Sequence, residues 1–295
     1  MTKSILVTGA SGFVGSELVR ALLERGYQVH ALTRDVSSYD APDGITVVEG
    51  DLLDASSLDG AFDDIDVAYY LVHSLETGGD FAKRDREAAR NFSKAAEEAG
   101  VERVIYLGGL GETGEGLSEH LQSRREVETI LDNRSYSVTT LRAAIIIGDG
   151  SLSFEMIRQL ARKLPVMITP RWVRTECQPI AIRDVIAYLI GVLEEPKTAG
   201  ETYEIGGPEV LTYEEMIRET ARQLGRRPII VPVPVLSPGL SVYWVDLVTD
   251  VPKQVAHPLI YGLKNPVVVT DDRITDIIQV TLTPFDEAVA NALGD

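Results

Sequence analysis

The 295-residue sequence predicts an α/β protein built on a doubly wound parallel sheet, and three observations carry that expectation. Short β-rich runs alternate with helical patterns through residue 147. The first run, Ser4–Thr8, passes into a glycine-rich turn and then a helical pattern, Val14–Arg25. A second run, Gln28–Thr33, follows at once. Such alternation implies right-handed crossovers, which lay helices on both faces of a parallel sheet.

The turn after the first strand is the most specific segment of the chain. Gly9-Ala10-Ser11-Gly12-Phe13-Val14-Gly15 stands between a strand and a helix. In that setting Gly9 allows the sharp turn, Gly12 lets backbone approach a pyrophosphate, and Gly15 lets the helix pack close to the strand. The helix N-terminus then offers unpaired N–H groups and the positive end of its dipole. These seven residues are therefore expected to cradle a dinucleotide, and the sheet is expected to be of the Rossmann type.

Further strands are expected at Thr46–Glu49, Val67–Val72, Arg103–Leu107 and Ser137–Ile147, with helices at Asp80–Ala99 and Glu119–Leu131. Residues 1–150 are read as the cofactor-binding core. After Gly148-Asp-Gly150 the alternation loosens. A helix at Phe154–Arg162, a helix at Ile182–Leu193, a strand at Glu201–Ile205 and a helix at Tyr213–Leu224 are expected next. The Pro-rich stretch Pro228–Pro238 and the aromatic segment Gly239–Val248 follow. Residues 151–295 are read as a mixed segment in which about 178–206 returns to the core, plus a smaller C-terminal α/β substrate or partner lobe covering the cofactor. Met167, Trp172 and Trp244 either wall an apolar substrate pocket or form lobe core, and the same surface would suit a protein partner.

Composition excludes several roles. Apolar residues make up 44% and charged residues 25%, as in a globular protein. A net charge of −17 disfavours nucleic acid and anionic membrane surfaces as partners. Seven lysines against twenty-one arginines, with this acidic excess, suggest a high-salt or GC-rich source. The single cysteine, Cys177, rules out an internal disulfide and fits a reducing cytoplasm; it reads as buried filler or as a reactive thiol. No apolar run reaches the roughly 18 residues needed to span a bilayer, and the first strand leaves no room for a signal peptide. A cytoplasmic protein is expected. No His, Cys or carboxylate spacing suggests a metal site, and Asp63-Asp64 and Asp271-Asp272 read as solvated acids.

With these segments in view, the chain resembles the extended and atypical short-chain dehydrogenase/reductases. Thr8-Gly-x-x-Gly-x-x-Gly15 is similar to that superfamily's cofactor signature, and Gly50-Asp51-Leu52 to its adenine-contacting segment. Asn91 resembles the asparagine of its central helix, and Leu141–Gly148, with Ile146, the strand and turn beside the nicotinamide. Gln178–Val185 and Glu201–Pro208 resemble the segments that return to the core. Tyr70-Leu71-Val72-His73-Ser74, Gly78–Phe81 and Pro170–Arg174 resemble the NmrA-like branch, which includes uncharacterised NAD(P)-binding proteins and the nucleotide-binding accessory subunit of respiratory complex I. The resemblance implies a bound NAD(P), and with it either an oxidoreductase acting on an apolar carbonyl, quinone or isoprenoid-like compound or a protein that senses NADP(H).

In proteins of this type an acid closing the second strand grips the ribose of NAD. Here that position is Thr33, followed by Arg34. Without the acid, a planar guanidinium can receive a 2′-phosphate, so NADP(H) is expected over NAD(H). Asp35 stands close enough to reverse the preference if it faces the ribose.

The resemblance also brings a departure. The superfamily's Tyr-x-x-x-Lys pair is missing, because no tyrosine of the chain precedes a lysine by four. The corresponding helix carries His120 and Arg124, which share a face at that spacing. Leu107-Gly-Gly-Leu-Gly111 stands where a serine is usual. His120 as proton donor and Arg124 as ribose holder are the catalytic candidates, against the reading of His120 as a solvated helix start. Arg124 stays charged and cannot exchange protons. His73 follows the fourth strand, where the cofactor or a substrate would lie, or it simply packs. His30 and His257 do not read as catalytic.

Overall fold

The computed structural model describes residues 3–74, 80–111, 119–163, 166–169, 171–232 and 265–294. Seven parallel strands form the main sheet: β1 (Ser4–Thr8), β2 (Gln28–Thr33), β3 (Thr46–Glu49), β4 (Val67–Tyr70), β5 (Arg103–Gly109), β6 (Ser137–Ala143) and, entering late, β11 (Thr202–Ile205). Their order is β11-β6-β5-β4-β1-β2-β3, with β1 pairing both β2 and β4 in parallel. The chain reverses its winding between β1 and β4. In such sheets the crevice beyond the strand carboxyl ends at that reversal is where ligands bind.

Both faces are covered, and the central strands β1 and β4 are buried at every position. On one face Ile5, Val7, Val67 and Tyr69 pack on helices α1 (Phe13–Glu24) and α5 (Ile182–Glu194) through Leu18, Leu22, Val185 and Leu189. On the other, Leu6, Ala68, Tyr70 and Tyr106 meet helices α2 (Phe81–Glu98) and α3 (Glu119–Asp132) through Ala88, Phe92, Val127 and Leu131. Each fully buried large apolar side chain contributes roughly 1.5–3 kcal/mol. Two of the tyrosine hydroxyls find backbone partners: Tyr69 donates to the Leu189 carbonyl (2.9 Å) and Tyr106 to that of Arg124 (3.2 Å).

A third core joins α4 (Leu152–Lys163), α6 (Tyr213–Gln223) and the last described helix, α7 (Phe285–Gly294), through Phe154, Ile157, Met216, Ile217 and Val289. Thr212 and Glu215 close a reciprocal capping box that starts α6. The chain's end is tied back at Asp184, 1% exposed, whose carboxylate accepts from the Thr283 N–H (2.7 Å) and hydroxyl (2.8 Å).

Three expectations change in detail. The run Ser137–Ile147 splits into β6 and a two-residue strand, β7 (Ile146–Ile147), which pairs instead with β10 (Ile180–Ala181). The expected strand Val67–Val72 ends at Tyr70, leaving Leu71, Val72 and His73 in the turn above the sheet. The Pro-rich stretch begins with β13 (Ile229–Pro232), which pairs with β8 (Val166–Thr169), while β9 (Glu176–Cys177) and β12 (Leu211–Thr212) pair antiparallel. The aromatic segment with Trp244, His257, and the side chains of Met167 and Trp172 lie outside the described residues. Among the described residues no helix is long and apolar enough to cross a membrane.

Candidate functional site

The glycine turn closes over the top of β1 as tightly as its sequence demands. Gly9 has φ +73°, and the Gly12 N–H donates to the Gly9 carbonyl at 3.0 Å. A Cβ on Gly15 would lie 2.1 Å from the Gly9 oxygen, so only glycine lets α1 begin here. Gly12, the N-cap of α1, has no side chain to satisfy the first helical N–H groups. Those donors, the dipole end and the absent side chains fit a pyrophosphate. The Thr8 hydroxyl donates to the Tyr69 carbonyl (2.9 Å), fixing the turn against the end of β4.

Two cavities flank this turn and share Gly9, Gly12, Leu71 and His73 on their walls. The larger, about 510 Å³, is also lined by Ser11, Thr33, Arg34, Asp35, Ser38, Asp51, Leu52, Val72 and Arg84. The other, about 370 Å³, is lined by Phe13, Val14, Gly15, Leu107, Gly108, Gly109, Arg124, Ala143, Ala144, Ile146 and the segment Gly150–Ser153. Together they make a two-lobed cleft with the turn at its waist.

At the far end of the 510 Å³ cavity, Asp35 is already engaged. Its carboxylate accepts from the Ser37 N–H (2.9 Å) and Ser37 hydroxyl (2.6 Å), capping the short 3-10 helix Val36–Ser38. Those two bonds hold its carboxyl below the usual range. Arg34 makes no hydrogen bond or ion pair with the described residues.

A buried carboxylate lies behind the waist. Asp85, on α2, is 2% exposed. It accepts from His73 Nδ1 (3.0 Å), the Ser74 N–H (2.8 Å) and the Ser123 hydroxyl of α3 (3.0 Å). Burial alone would raise this carboxyl, but the hydrogen bond from His73, then the Arg124 charge and the Ser74 N–H, outweigh it and keep Asp85 ionised. Burial, aided by Arg124, lowers His73 to about 4 against the pull of Asp85. His73 is thus a neutral imidazole at pH 7, with Nδ1–H directed at a carboxylate.

Nearly all the residues expected from sequence come together here. Ala10 lies on neither cavity wall: at 1% exposure its methyl packs into the core beneath the turn. Arg124 reaches the 370 Å³ cavity, whereas the His120 side chain lies outside the described residues. Asn91 donates to the Leu52 carbonyl (2.8 Å) and so positions the loop after β3. Cys177 is filler: it is fully buried, and burial pushes its thiol up to about 11. His30 shares a hydrogen bond with Ser4 (3.2 Å). No cluster of metal-ligating side chains occurs among the described residues.

Sequence reasoning missed Asp85, Ser123 and Arg84. A signal for Asp85 was present. The buried stripe of α2 runs Phe81, Asp85, Ala88, Phe92, Ala96, and an acid in an apolar stripe must have partners.

Comparison with known proteins bears on this cleft. The family described as NAD(P)H-binding matches residues 9–161. Cinnamoyl-CoA reductase 1 of Oryza sativa subsp. japonica is 30% identical over 142 residues, 45% of this chain and 40% of that protein. The match therefore spans less than half of that relative. NADH dehydrogenase (ubiquinone) 1 alpha subcomplex subunit 9, mitochondrial, of Arabidopsis thaliana is 25% identical over 283 residues, 91% of this chain and 70% of that one. Among solved structures, an NADPH-dependent quinone oxidoreductase of Escherichia coli has a TM-score of 0.79 at 20% identity, covering 99% of this chain and 100% of that one. Identity that low speaks for the fold alone.

Proposed function

This chain belongs to the NAD(P)H-binding family, with relatives among extended short-chain dehydrogenase/reductases and epimerases, and from that premise we propose that it is an NADP(H)-dependent oxidoreductase of an apolar carbonyl or quinone. The observation that carries the reading is the 370 Å³ cavity, which joins an apolar wall of Phe13, Leu71, Leu107 and Ile146 to the charged Arg124 and the imidazole of His73. Apolar walls with a few convergent polar groups suit a small carbonyl compound. The turn Gly9–Gly15 would hold the pyrophosphate, and Asp51 and Leu52 the adenine side. Arg124 would stand by the nicotinamide ribose, where it can hold but not exchange a proton. A bound nicotinamide would give hydride to the carbonyl carbon or take it from the alcohol.

Engagement of Asp35 by its own turn supports NADP(H) over NAD(H). The acid that would repel a 2′-phosphate is turned to Ser37, while Arg34 and Ser38 line the same cavity. Arg34→Ala is expected to weaken NADPH binding about ten- to a hundredfold, the effect of one charge-assisted pair, and to leave NADH affinity unchanged. Fluorescence titration of both cofactors measures this; equal losses for the two would reject the assignment.

The missing Tyr-x-x-x-Lys pair favours a second reading, a protein that holds NADP(H) as a sensor or structural group. Tight NADPH binding without turnover of any carbonyl or quinone would support it.

A further inference from the structure

We propose that His73 is the proton-transfer residue of this cleft, with Asp85 and Ser123 as the positioning residues that hold its ring; the proposal rests on the oxidoreductase reading. Three independent features converge on it. Among the described residues His73 is the one histidine on the walls of both cavities, so it stands at the waist where the two halves of the cleft meet. Its Nδ1 is fixed by a buried carboxylate at 3.0 Å, and that carboxylate is itself fixed by the Ser74 N–H and the Ser123 hydroxyl. Phe81 stands edge-on to the ring, 6.5 Å between centroids and 89° between planes, and restricts its rotation.

A carboxylate, an imidazole and a fixed tautomer form a proton-handling unit whatever the fold that carries them. With Nδ1–H given to Asp85, the proton is exchanged at Nε2. In the oxidising direction the substrate O–H bond breaks and an Nε2–H bond forms. The electron pair left on oxygen closes the C=O bond as the carbinol hydride departs to oxidised NADP. Asp85 then faces an imidazolium, which returns its proton to solvent. Reduction runs the same steps backwards. Asp85 lines neither cavity, so it acts only through His73.

The charged and titratable neighbours set the sign of the pH dependence. Asp85 and Arg86 come from α2, Arg124 from α3, Tyr70 from β4 and Tyr106 from β5. Burial and Arg124 keep the ring neutral down to about pH 4. Oxidation, which needs the neutral ring, should therefore hold level from pH 8 to pH 5 instead of falling near the ordinary histidine value of about 6.5. Reduction, which needs the imidazolium, should rise about tenfold for each unit of pH lowered over that range.

Four histidines make the ring accessible to spectroscopy. In NADPH-loaded protein labelled with ¹⁵N-histidine, with the signal assigned through His73→Gln, His73 is expected to be neutral and protonated at Nδ1 at pH 7. Asp85→Asn should shift it toward the Nε2–H form. In turnover, His73→Gln should lower kcat about 10²–10³-fold while NADPH Kd rises less than tenfold. Asp85→Asn should lower kcat with Kd unchanged, and Ser123→Ala should do so more mildly. NADPH titration of each variant confirms that the cleft is folded. A His73→Gln kcat within threefold of native, or an Nε2–H tautomer indifferent to Asp85→Asn, would overturn the proposal and leave the oxidoreductase reading intact. No turnover by the native protein would overturn both.

Discussion

Gly15→Ala is expected to lower NADPH affinity at least a hundredfold and to destabilise the fold by about 1–3 kcal/mol. The added Cβ would lie 2.1 Å from the Gly9 oxygen, 2.8 Å from the Gly9 carbonyl carbon and 2.9 Å from the Ala10 Cα. All three are backbone atoms, so no side-chain rotation relieves the clash. Either the turn lifts off β1 or α1 moves away from it, and both disperse the N–H groups aimed at the pyrophosphate. Gly26→Ala is the matched control. It carries an unfavourable φ of +78° but meets nothing within 4 Å, so it should cost roughly 1 kcal/mol or more and leave affinity unchanged. Calorimetry with NADPH and thermal unfolding of both variants separate the two effects. Native affinity in Gly15→Ala would mean the phosphate is held elsewhere.

Phe92→Ala is expected to be the most damaging core truncation, about 3–5 kcal/mol out of a total of about 5–15. Phe92 is fully buried and makes edge contacts with Phe62 (5.3 Å, 75°) and Tyr70 (4.9 Å, 77°). Truncation removes both ring contacts and opens a cavity between the sheet and α2. Chemical denaturation should show the loss as a lowered midpoint, with the slope retained if the two-state transition survives. The effect reaches function, because α2 also carries Asp85. A loosened α2 should release the tautomer of His73 before it weakens NADPH binding, since the turn at Gly9–Gly15 lies on a different helix. A loss under 1 kcal/mol would show that this face of the sheet repacks freely.

Local rules were enough for the sheet and the turn. The runs at Ser4–Thr8 and Gln28–Thr33 became strands with those same bounds, because Ile5, Leu6, Val7, Val29, Ala31 and Leu32 are buried in a parallel sheet covered on both faces. The glycines at 9, 12 and 15 were legible because each answers a separate steric demand. Where tertiary partners decide, the sequence was mute or open. Nothing in Ser137–Ile147 told that Ile146 would leave β6 for β10, nor that Ile229 would pair beside Val166 across more than sixty residues. The engagement of Asp35 follows an Asx-type turn: Asp35-Val-Ser37 is a pattern in which the acid bonds two residues ahead. Ala10 sits within a binding motif yet faces the core, a direction that only the turn's backbone decides. Ser123 came to the site because α3 crosses α2 at Asp85, a meeting no spacing along either helix encodes.

The central claim is that this chain consumes NADPH in reducing an apolar carbonyl or quinone. Its most direct test is the rate of NADPH and NADH oxidation by the purified protein across a panel of quinones and aldehydes, with binding of both cofactors measured in parallel. The predicted result is oxidation stoichiometric with reduced acceptor, at a KM for NADPH at least tenfold below that for NADH. Tight NADPH binding with no oxidation by any acceptor would contradict it.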